Sequence, residues 1–140
     1  MMQQAIFLPG LAMVALTFVV MFAMYGRRVA QMKRERIHPQ AVATSAQSAA
    51  KLTDSAAADN FSNLFELPVL FYFALAVAAL TDQVTPVVVG LSWTFVAARI
   101  LHSVIHCTYN KVMHRFRAFL LGAFVLIALW AVLGYGLIAG

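Results

Sequence analysis

Residues 67–86 read Leu67-Pro68-Val69-Leu70-Phe71-Tyr72-Phe73-Ala74-Leu75-Ala76-Val77-Ala78-Ala79-Leu80-Thr81-Asp82-Gln83-Val84-Thr85-Pro86. The first part is an apolar run without a charge. Asp82-Gln83-Val84-Thr85-Pro86 is a tight turn, and Pro86, with its preset φ and no N–H to lose, suits the first turn of a following helix. A second apolar segment follows, so two helices joined by this short turn are antiparallel neighbours. Composition decides their solvent. Of 140 residues, 63% are apolar and 11% charged, against about half and about a quarter in a soluble domain. Such a chain lacks the polar surface to face water. At about 20 residues per span, four spans are the practical ceiling.

Working outward from the turn, helix two is expected over residues 56–80, capped by Asp54 or Ser55 and running on through Asp59, Asn63 and Glu66. Helix three is expected over 86–109 and a fourth span over 118–138, after Lys111, His114, Arg115 and Arg117. The first apolar block, 5–25, precedes Arg27 and Arg28. No basic residue comes before it and no small-residue cleavage site after it, so it reads as a helix and not a cleaved signal. Residues 26–54 form a polar loop with basic Lys33-Arg34-Glu35-Arg36, in part an extension of the helices beside it. The fold class is an all-α, integral membrane four-helix bundle forming one domain over residues 1–140.

Nine of the 10 Lys and Arg residues lie in or beside the first and third loops, Arg99 being the exception, and the second loop and both ends carry none. This asymmetry places the basic loops in the cytoplasm and both termini outside it. The net charge of +5 therefore serves topology and membrane lipid headgroups. It does not point to nucleic acid, since no aromatic and basic groove pattern accompanies it. Cys107, the single cysteine, excludes an intrachain disulfide and a cysteine-based metal framework.

The spans carry polar residues in register. At about 100° per residue, Asp59, Asn63 and Glu66 fall within an arc of about 60° on helix two, and Arg99, His102 and His106 within a similar arc on helix three, with Tyr109 close by. Counting depth from the basic side gives three expected levels: Glu66 with Arg99, Asn63 with His102, and Asp59 with His106. An unpaired charge at mid-membrane costs about 2.5 to 3.5 kcal/mol, which pairing largely removes. His102 and His106 have a metal-compatible interval of four. Without a third ligand other than Asp59 or Glu66 they read as hydrogen-bonded histidines, and no metal is expected.

Asn60-Phe61-Ser62-Asn63-Leu64-Phe65-Glu66-Leu67-Pro68-Val69-Leu70-Phe71-Tyr72, together with Arg99-Ile100-Leu101-His102-Ser103-Val104-Ile105-His106, resembles the MAPEG family, the membrane-associated proteins in eicosanoid and glutathione metabolism. The wording is similar to the family's bacterial branch. The resemblance implies a homotrimer in the cell inner membrane and a glutathione-dependent transferase or peroxidase acting on a lipophilic electrophile. Glutathione would lie near the cytoplasmic side between subunits. By position, Asn63, Glu66, Arg99 and His102 match ligand-binding residues, and Arg115 matches the basic residue that stabilises the glutathione thiolate. A guanidinium favours ionisation of a thiol, and the thiolate is the nucleophile.

Three positions depart from the family pattern, one of them Pro68, which follows Glu66 more closely than in the family's eukaryotic enzymes. Asp59 stands where its enzymes usually carry Arg, and His106 where many carry Tyr. Three readings therefore stay open: the glutathione-dependent enzyme; a noncatalytic membrane protein or member of a larger membrane complex, with the ladder as packing; and a site for a lipid, quinone or other anionic amphiphile, with Arg115 and Arg117 at its headgroup.

Overall fold

The structure, a computed structural model, describes residues 2–140. It is all-α: α1 (Met2–Ala5), α2 (Phe7–Arg34), a 3-10 turn (Pro39–Val42), α3 (Ser45–Lys51), α4 (Ala56–Asn63), α5 (Leu67–Leu80), α6 (Pro86–Cys107) and α7 (Val112–Ala139). Among the described residues, four helical stretches are long and apolar enough to cross a membrane: Met2–Arg34, Ala56–Leu80, Pro86–Cys107 and Val112–Ala139. Polarity is inverted relative to a soluble protein. Phe22, Phe124 and Ile127 are exposed, whereas Asn60, Ser92 and Arg99 are fully buried. Such a surface is stable in hydrocarbon and not in water.

Local chemistry sets the helix ends. Thr85 caps α6 by accepting a hydrogen bond from the Val88 N–H at 3.2 Å, with Pro86 in the first turn. Asp82 takes a left-handed conformation, φ 57°, and the next N–H, of Gln83, returns to the Ala78 carbonyl at 3.0 Å. This closes α5 with the bond pattern of a helix C-cap. α2 runs past the apolar block as far as Arg34. In the connection that follows, Thr44 and Gln47 form a reciprocal capping box for α3.

Span two is not the continuous helix expected from its sequence. It breaks at Leu64–Glu66, between α4 and α5. Pro68 supplies the physical reason: it has no N–H to offer the Leu64 carbonyl, and its ring crowds that same group. The break redirects the chain. α4 packs against α2 and α6, while α5 packs mainly against α2 and α7. Trp130 on α7 donates its indole N–H to the Leu70 carbonyl at 3.3 Å and packs on Phe73. Phe71 and Phe95 stack with centroids 4.5 Å apart in the centre of the core, beside buried Met13, Val88 and Leu129.

Candidate functional site

Arg99 is fully buried beside the break. One Nη donates to the side-chain oxygen of Asn63 and, at 3.5 Å, to its backbone carbonyl. The Asn63 amide in turn donates to Glu66 at 3.4 Å. Asn63 therefore stands between the acid and the base. Among the described residues no ion pair joins Glu66 to Arg99, and the two ion pairs present, Arg27–Asp54 and Arg34–Glu35, lie elsewhere. The expected direct Glu66–Arg99 level is corrected to a relay through an amide, and Asn63 meets Arg99 instead of His102.

The lowest level is corrected as well. Asp59 is exposed and accepts a hydrogen bond from Ser55 on its own helix at 3.0 Å, so it does not pair with His106. The neighbouring Asn60 takes its place. Fully buried, it accepts from Ser103 at 3.3 Å and donates to the Cys107 sulfur at 3.5 Å. The helix-two residues facing α6 are thus Asn60 and Asn63, one turn apart. The broken helix lets Glu66 leave the arc that a constant 100° step assigned to it.

His102 and His106 are buried edge to face, 5.5 Å apart, and Phe119 of α7 lies 6.0 Å from His102 and 5.9 Å from the Arg99 guanidinium carbon. Gly122 of α7 faces the same group, and a Cβ there would lie 3.6 Å from the Arg99 side chain, in ordinary contact. Among the described residues, Arg99 Nε and Nη1 and both histidine Nδ1 atoms have no hydrogen-bond partner. The expectation of hydrogen-bonded histidines is corrected accordingly. Each such group costs about 1 to 3 kcal/mol when buried unpaired. Among the described residues no cluster of three or more His, Cys, Asp or Glu is placed to hold a metal.

Tyr109 and Arg115 belong to a separate group at the α6–α7 connection. Tyr109 is exposed, with its hydroxyl 3.0 Å from His114 Nδ1. Arg115 donates to Asn110 at 2.7 Å, and Asn110 holds the left-handed turn, φ 48°.

Two further residues have no counterpart in the sequence reading. Gln31 is buried, donating to Thr53 at 3.0 Å and accepting from the Asp54 N–H at 3.2 Å, which fastens the start of span two to the end of span one. Arg27 donates to the Cys107 carbonyl at the end of α6. Nothing in a lone Gln within a basic stretch signals such a role.

This four-span architecture, with Asn and Glu on the second span and Arg and His on the third, agrees with a match of the MAPEG family profile to residues 6–135. The chain belongs to the MAPEG family. No curated protein and no solved structure is similar enough to match it. In this MAPEG protein Asn60, Arg99, His102 and His106 are buried within one chain, and of the candidate residues Asp59 alone lines either of the two cavities beside span two.

Proposed function

We propose that this MAPEG protein is a glutathione-dependent transferase or peroxidase that acts on a lipophilic electrophile as a homotrimer. The observation that supports it best is the cluster of unspent hydrogen-bonding atoms on Arg99, His102 and His106. Arg99 is short of acceptors and suits a carboxylate of the tripeptide, with Asn63, Glu66 and His102 positioning it. Arg115 would favour the thiolate. In the transferase reaction the sulfur forms a bond to the electrophilic carbon as the leaving group departs. In the peroxidase reaction two thiols reduce a hydroperoxide to an alcohol and water and become a disulfide.

A second observation supports assembly. Glu66 is exposed on the single chain within a span, and a carboxylate facing lipid at that depth is costly. A neighbouring subunit would cover it. The charge asymmetry of the loops supports cytoplasmic basic loops, both ends outside, and residence in an inner membrane. Calorimetry of the detergent-extracted protein with millimolar glutathione tests the reading. Saturable heat, lost in Arg99→Met and reduced in Arg115→Ala, is expected, and a flat titration refutes it.

A second reading rests on a specific observation of its own. Phe119 closes over Arg99 and His102, which suits a noncatalytic protein that uses the polar residues to fix packing. It expects Arg99→Met to change thermal stability while glutathione changes nothing.

A further inference from the structure

One face of α2 is lined from the membrane centre to its basic end by Val14, Phe18, Met21, Tyr25 and Arg28, with Thr17 and Met24 alongside, all within an arc of about 120°. Opposite this face lies span two. Two cavities open between them. The deeper, about 350 Å³, is apolar and lies against Phe61, Phe65 and Tyr72 at the break in span two. The other, about 800 Å³, lies at the basic end between α2, α3 and α4, and carries Arg28, Asp54 and Asp59. Phe61 lines both cavities, which adjoin across its side chain as an apolar tail and a charged head on one side of α2.

The dimensions fit a lipid leaflet. From Val14 to Arg28 the helix rises about 21 Å, close to half of the roughly 40 to 45 Å that a bilayer spans with its headgroups. The charges select among headgroups. Among the described residues Arg28 has no hydrogen bond or ion pair, while Asp54 faces Arg27 at 3.8 Å and Asp59 is held by Ser55. The head of the groove thus offers one free guanidinium for a phosphate and two carboxylates for a cation. A phosphodiester bearing a primary ammonium satisfies both, through charge-assisted hydrogen bonds that a quaternary ammonium lacks the N–H groups to make. A headgroup with a phosphate and no cation would bring its charge beside two carboxylates.

We infer that the groove between α2 and span two holds one aminophospholipid, its phosphate on Arg28, its ammonium on Asp54 and Asp59, and an acyl chain along Phe18 and Phe61 into the cavity at the break. This site is separate from the Arg99 cluster and independent of any glutathione chemistry. Lipid held there would cover aromatic surface of both spans and brace α4, whose packing carries Asn60 and Asn63 to α6.

Native mass spectrometry of the full chain tests the inference, after exchange into nanodiscs of defined phosphatidylethanolamine, phosphatidylglycerol or phosphatidylcholine. One phosphatidylethanolamine retained per protomer is expected, at least tenfold over the other two. Arg28→Gln and Asp59→Asn should each abolish that preference, Ala58→Trp should block retention by filling the cavity at the basic end, and Lys33→Gln, which removes an equal charge outside the groove, should change nothing. Equal retention of all three lipids overturns the inference, as does retention indifferent to Arg28→Gln. Oligomers free of lipid in all three discs would show that a second copy of the chain covers the groove, and would overturn it too.

Discussion

Replacing Asn63 by Leu removes the side-chain acceptor of the buried Arg99 while keeping bulk at the break in span two. Arg99 would keep only the Asn63 carbonyl at 3.5 Å, because its Nε and Nη1 already lack partners. A hydrogen bond to a charged group contributes about 1.5 to 3 kcal/mol in soluble proteins. Between membrane helices the average is only about 0.6 and the largest about 1.7, because the separated helices find other partners in the bilayer. Arg99 has few alternatives, so the upper end applies: about 1.5 kcal/mol, or roughly tenfold in the folded-to-unfolded ratio. Glu66 makes no hydrogen bond or ion pair to Arg99 and is linked to it by hydrogen bonds through Asn63, so Glu66→Gln should cost less than half as much. The double variant Asn63→Leu/Arg99→Met should recover most of the loss, since a buried charge replaced by apolar bulk is often neutral or stabilising. Reversible unfolding in bicelles, read as a double-mutant cycle, measures all three. The reasoning fails if the two single losses add in the double variant, or if Glu66→Gln costs as much as Asn63→Leu.

Pro68→Ala returns an N–H to the Leu64 carbonyl and should straighten span two, loosening the Trp130 bond to Leu70; in a Trp93→Phe background the Trp130 emission maximum should shift, and an unchanged spectrum would contradict the role given to Pro68. At Gly10 a Cβ would lie 2.9 Å from the end of the Leu75 side chain, so Gly10→Ala should be mild because Leu75 can turn aside, whereas Gly10→Val should cost about 1 to 3 kcal/mol as overpacking, visible as a lower melting temperature. Gln31→Leu removes the acceptor of the Asp54 N–H, so hydrogen exchange at Asp54 should speed up at least tenfold while the core of α6 stays protected. Asn60→Ala frees the Cys107 sulfur of its one side-chain donor and should raise its rate of alkylation several-fold in detergent.

The four apolar helices were legible because hydrocarbon demands long apolar runs and because Thr85-Pro86 is an unambiguous helix start. The site was legible in residue types and not in phase. Counting 100° per residue from Asp59 to Glu66 assumes an unbroken helix, and the chain breaks between Asn63 and Leu67. Pro68 carried that information, as a proline inside an apolar span. Asn60 lies about 60° from Asn63 around the helix and Asp59 about 40°, so both fall on nearly the same side. Only the packing of α4 against both α2 and α6 chooses between them, and that packing depends on Gln31 and Arg27, which contact residues distant in the chain. Pattern reading within one helix does not reach such contacts.

Arg27 and the carbonyl it binds are 80 residues apart, and Gln3, at the other end of the same span, donates to Asp82 at 2.5 Å, 79 residues away. During synthesis the first span therefore enters the bilayer with neither polar anchor available. Its seat is completed only once the ribosome has made just over three quarters of the chain, so docking of the oldest helix has to await the arrival of the third.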